Sequence, residues 1–203
     1  MPQPGGVANF SDVIALDDLS EPERKALRDA ALIAVIQAEM DKANKSADGI
    51  TARGIWPGTD LGLTGHGATS GTGGSAPAYS EAWIFPTAGT AGTELSYINQ
   101  QLTERKCITF YGVTSGTATP STSRLRFVLG PTGATVKAGY QLQKIWVREN
   151  PVGYFSNFTL FVYLDTIQVK AMPWQDFPAN TEELEIMGYV AEGFGEQISA
   201  PIS

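Results

Sequence analysis

The residues that could do chemistry are few. The chain has one imidazole, His66, and one thiol, Cys107, in 203 residues. Acyl transfer needs a Ser or Cys, a base and a group that orients the base. His66 falls in the most glycine-rich stretch. Cys107 falls inside an expected strand, where a small buried Cys serves packing. One His and one Cys cannot make a zinc site of the usual His/Cys type, nor an intrachain disulfide. The glycine-rich stretch lacks the Gly-Lys-Ser/Thr ending of a phosphate loop. Its Gly65, Gly67 and Ser70 put Ser where a dinucleotide fingerprint needs a third Gly. No Asp-rich calcium loop occurs. The expectation is a chain with no catalytic, metal or cofactor site.

Carboxylates beside aromatics are the remaining chemical signal. Glycoside hydrolysis needs two of them at a defined separation. Glu81 lies near Trp83, and Asp176 lies near Trp174. Four Trp and seven Tyr could supply a sugar-stacking platform, with Trp83, Trp174 and Tyr79 as its ligand-facing aromatics. The competing reading makes Trp146 a core residue of a strand, and Trp56 and Trp174 anchors for loops. Nucleic-acid binding is disfavoured by a formal charge of −7, because phosphate neutralisation needs clustered Lys and Arg. Arg105, Lys106, Arg124 and Arg126 are spread over several strands, although Arg124 and Arg126 share a face near Phe110 and Tyr111 in the sequence pattern.

The elements that must carry these residues fall into three zones. Residues 1–47 read as an arm and a helix. Ser20 and Glu23 form a capping-box pair with Pro22 in the first turn. From Glu21 to about Lys45 there is no Gly and no other Pro. Leu32, Val35, Ile36 and Met40 lie on one face, with Ile33 off its centre. So broad an apolar stripe predicts packing on two sides, against the chain's own body and against another subunit. These five residues are the expected oligomer interface. Residues 48–92 hold 11 of the 22 glycines and read as a long loop or extended arm.

Residues 93–203 read as a β-domain with an acidic tail. The expected strands, counting one at the end of the loop zone, are 82–85, 95–98, 106–113, 124–129, 140–147, 158–164, 166–171 and 184–190. Arg124–Leu129 and Thr166–Ala171 alternate strictly, with Leu125, Phe127 and Leu129, and Ile167, Val169 and Ala171, facing in. The run 158–164 is apolar on both faces and belongs at the centre or under a cover. Short strands with frequent breakers and no intervening long helices predict a mainly β fold, an antiparallel, jelly-roll-like β-sandwich. Charge is uneven. Residues 1–48 carry nine acids and five bases, 49–171 six and nine, and 172–203 six acids and no base. Acidic ends against a basic body would favour register within or between chains. No apolar run approaches the ~18–20 residues of a membrane span, and Met1–Gly6 has no secretory-leader pattern, so a cytosolically made protein without membrane contact is expected.

The layout resembles the accessory structural proteins of tailed bacteriophage particles. It is carried by the arm and helix (Phe10 to Lys45), the Gly/Ser/Thr-rich excursion (Gly62 to Ala76), the strand-and-turn text from Gly130 to Arg148, and the run Pro151 to Ser156. The resemblance implies a non-enzymatic virion protein, foremost a capsid cement or head-decoration protein. Such a protein would be a homo-oligomer, often a trimer, that binds the major capsid protein. A neck or tail component and a carbohydrate- or receptor-binding sandwich are the alternatives.

Overall fold

The computed structural model describes residues 13–43, 49–63, 83–102, 105–130 and 135–193. Among these residues, nine strands form two antiparallel sheets. The strands are β1 (Val13–Ala15), β2 (Ile50–Gly54), β3 (Leu95–Gln101), β4 (Lys106–Ser115), β5 (Thr122–Leu129), β6 (Thr135–Gln141), β7 (Val152–Phe161), β8 (Thr166–Pro173) and β9 (Leu184–Gly193). One sheet runs β1-β7-β4-β9-β2 and the other β3-β8-β5-β6. Without β1, these are two four-stranded sheets in the strand order of the eight-stranded jelly roll, a double Greek key. The expected sandwich is therefore the fold.

Alternation fills the space between the sheets. Leu125, Phe127, Ile167, Val169 and Ala171 are fully buried there, opposite Ile108, Phe110, Phe161 and Val190. Phe110, Phe127, Tyr140 and Phe155 form a chain of ring contacts through the centre, with Tyr140 stacked on Phe155 at 3.8 Å. β7 departs from regular pairing. Phe110 pairs with Thr159 and Gly112 with Tyr154, so β7 spends five residues where β4 spends two. The extra length reaches the other sheet, where the Tyr140 hydroxyl donates to the Asn157 carbonyl at 2.7 Å. Phe158 is consequently exposed at this excursion, whereas Leu160 and Val162 do lie under a cover.

The cover is α1 (Glu21–Ala43), which lies across β4 and β9 on the outside of the five-stranded sheet. Glu23 accepts from both the amide and the hydroxyl of Ser20, at 2.8 and 2.6 Å, which holds its carboxyl below the usual range and closes the helix start. Ala31, Val35 and Glu39, spaced by four, form the buried line. Val35 meets Cys107 and Ala191, flanked by Leu32 and Ile36.

Several expectations need correction. The zone 48–92 is not one long loop: it contains β2, paired along its length with β9, and a short helix α2 (Pro57–Leu61), capped by Gly62 at φ +66°. The arm before α1 contributes β1, paired with β7, and a 3-10 turn over Leu16–Asp18. The expected strand 140–147 ends at Gln141. Its remainder forms α3 (Gln143–Trp146), because Leu142 and Ile145 bury at helical, not strand, spacing. The expected strand at 82–85 is a single bridge between Ile84 and Glu183. The acids assigned to a C-terminal tail include Glu185 and Glu192, which are residues of β9.

Candidate site: a tryptophan cleft where the sheet-crossing loops meet

The connections β4–β5, β6–β7 and β8–β9 each pass from one sheet to the other. They converge on a cleft of about 450 Å³ lined by Ala118, Thr119, Pro120, Gln143, Trp146, Val147 and Trp174. Loops held by a rigid scaffold are where binding residues concentrate. This volume lies within the ~300–1,000 Å³ of small-molecule sites. Trp174 is 48% exposed and Val147 83% exposed. Neither is accounted for by the core.

The cleft is pre-organised by its backing residues. Glu182, buried behind it, accepts at one carboxylate oxygen from the Ser121 and Thr122 amides and the Thr122 hydroxyl, at 2.8, 2.9 and 3.1 Å. Multiple donors on one buried carboxylate are strong, charge-assisted bonds. They fasten the start of β5 to the residues that lead into β9. The Trp174 amide donates to the Ser121 carbonyl at 2.8 Å. The Gln175 side chain reaches the Ser121 hydroxyl at 3.1 Å. Both indoles are tied down: Trp174 Nε1 donates to the Pro120 carbonyl at 3.0 Å and Trp146 Nε1 to the Thr122 carbonyl at 2.5 Å. With their N–H groups committed inward, the rings offer the cleft only carbon and π surface. Among the described residues of its lining, Thr119 and Gln143 carry the polar side chains and none is charged.

A second polar centre lies beside β2. Asp60, in α2, receives Arg53 through two nitrogens at 2.7 and 2.9 Å, Lys106 at 2.8 Å and the Trp56 amide at 2.7 Å. Glu192 meets the same two cations at 3.2 and 3.0 Å. Burial opposes ionisation of Asp60, but hydrogen bonds from Arg53, Lys106 and Trp56 outweigh it and hold the carboxyl below its usual range. The Asp60 hydrogen bond raises Arg53. Burial would lower Lys106, yet Asp60 and Glu192 raise it. Every charge here has a partner, so the cluster joins α2, β2, β4 and β9 as a structural knot.

The sequence-derived candidates separate. Trp83 and Trp174 do not share a groove. Trp83 is 8% exposed, part of the core, and borders a different depression with Tyr111 and Tyr189. Tyr79, Glu81 and His66 lie outside the described residues. Asp176 accepts from the Ala91 amide at 2.7 Å and holds a turn. Arg126 pairs with Glu94 at 2.5 Å on the outside of the four-stranded sheet, while Phe110 points into the core, so these basic residues and Phe110 do not share a face. Of the five helix residues, Val35 is buried in the chain's own second core. Leu32 and Ile36 pack beside it, Met40 is half-buried, and Ile33 alone is largely exposed, at 66%. Acidic ends do meet basic partners within the chain: Asp18 pairs with Arg148 at 3.0 Å, and Glu192 with Arg53 and Lys106.

Sequence reasoning missed that Trp146 and Trp174 line one cleft. No local sequence pattern signals it, because the two tryptophans come from different sheet-crossing connections. Among the described residues, no group of three or more His, Cys, Asp or Glu side chains could hold a metal. No helix among them is long and apolar enough to cross a membrane. No protein-family model matches the chain, and comparison with curated proteins and with solved structures finds no match.

Proposed function

We infer that the protein is a non-enzymatic structural component of a virus particle, an oligomer, foremost a trimer, that binds the major capsid protein and cements the shell. The observation that carries this reading is the strand order β2-β9-β4-β7 facing β3-β8-β5-β6, an architecture used by viral capsid domains. Fold alone does not assign function. Two local features favour an assembly role. Ile33 projects from the outside of a helix whose opposite face is already satisfied. The Asp60 knot braces the five-stranded sheet and the β7 excursion ties it to the other sheet, which suits a part that bears load.

The test is light scattering after sizing chromatography, with co-sedimentation on assembled shells of a major capsid protein. The expected result is a defined oligomer that pellets with the shells, and whose assembly Ile33→Asp impairs. A monomer that stays in the supernatant would overturn the reading.

A further inference from the structure

We propose that the cleft between Trp146 and Trp174 is a binding site for a neutral saccharide, gripped at one pyranose ring. The inference stands apart from the assembly reading and rests on the chemistry of the lining. Tryptophan faces carry the negative side of a ring quadrupole. The partner they favour presents weakly positive C–H groups on a flat face, and the axial hydrogens of a pyranose do so. A buried indole usually donates through its N–H. Here both N–H groups are already given to the Thr122 and Pro120 carbonyls, so the rings can stack but not donate.

The rim supplies the rest. The Thr119 hydroxyl and the Gln143 amide can each donate and accept, which matches sugar hydroxyls that do the same. None of the described lining residues is charged, so the lining itself offers a sulfated, sialylated or phosphorylated ligand no counter-ion. A purely aliphatic ligand would leave both rim groups without partners, at a cost. The site is built before any ligand arrives, because Glu182 and the Trp174 amide hold the β4–β5 connection in place. Pre-organisation lowers the ordering cost of binding.

The experiment titrates the full chain with maltohexaose, cellohexaose and tri-N-acetylchitotriose, following tryptophan fluorescence and calorimetry. Sialyllactose and a proline-rich peptide serve as contrasts. At least one neutral probe should bind saturably. Trp174→Ala should weaken it by about tenfold or more, with Trp174→Phe restoring part of the affinity. Val147→Asp, at a position facing solvent, should weaken it without altering the thermal melt; this variant keeps the test valid if Trp174→Ala misfolds. The proposal is overturned if no neutral probe binds, if binding ignores Trp174 and Val147, or if the peptide or the anionic sugar is the preferred ligand.

Discussion

At the scale of single residues, the Asp60 knot shows how burial changes the worth of a charge. An exposed ion pair contributes little, but Asp60 is fully enclosed, and its partners Arg53 and Lys106 are mostly so. Removing one member of such a set leaves the others desolvated. Asp60→Asn should cost roughly 3 kcal/mol, read from urea midpoints at pH 7. The acid side has a sign. A carboxyl whose folded value lies below its unfolded value of about 3.9 stabilises the fold at all pH above that value. It loses the contribution as pH falls through the folded value. The wild type should thus lose stability below about pH 4, and Asp60→Asn should lose less over the same interval. Equal acid losses in the two proteins would show that the knot does not hold Asp60 below its unfolded value. Cys107 illustrates the neutral counterpart. Burial first, and then its contact with Glu39, push the thiol up to about 12, so at pH 8 it is protonated and enclosed. An alkylating reagent should label it only as fast as the chain opens; rapid labelling of the native protein would contradict that placement.

At the scale of elements, α1 separates two roles that its sequence blends. The apolar run from Ala30 to Ile36 predicts burial on more than one side. Packing uses the line Ala31, Val35 and Glu39 and leaves Ile33 outside. Val35→Ala should destabilise the chain by about 2 kcal/mol through lost methyl burial and a residual cavity. Ile33→Ala should move stability by less than about 0.5 kcal/mol, whatever it does to assembly. Chemical denaturation of the two variants checks both values, and a large loss for Ile33→Ala would show that the helix sits in another register. The same elements explain what the sequence disclosed. β5 and β8 alternate because each has one face on the core, and that pattern needs no context. β2 reads Ile50-Thr-Ala-Arg-Gly54, too polar to announce a strand, and forms because β9 offers it an edge and Asp60 holds Arg53. α3 is hidden because Tyr140, Leu142 and Trp146 mimic alternation until Ile145 turns inward. The cleft is half legible: Trp174 stands out beside Asp176, but its meeting with Trp146 in one cleft depends on three loops converging, which no local pattern encodes.

At the scale of the whole molecule, the fold is a helix laid on a sandwich, and the two parts are held very differently. Between the sheets lies one continuous core with an aromatic chain through it. Beneath α1 the buried hydrophobic cluster among the described residues is Val35, Cys107 and Ala191, with Ala31 and Glu39 buried beside it and half-buried neighbours around. Local opening costs scale with such contacts, so α1 should open without the sandwich. The loops that shape the cleft belong to the sandwich and are fastened by Glu182, so they should stay closed when the helix lifts. Hydrogen exchange tests this directly. Amides of α1 should exchange at a lower opening free energy than those of β4 and β9, and raising denaturant should leave the helix value nearly flat while the sheet value falls steeply. If α1 exchanges only with global unfolding, helix and sandwich form one cooperative unit. In the first case, a partner that seats on Ile33 could draw the helix outward at little cost to the sheets. In the second, docking on the helix would have to meet a rigid surface.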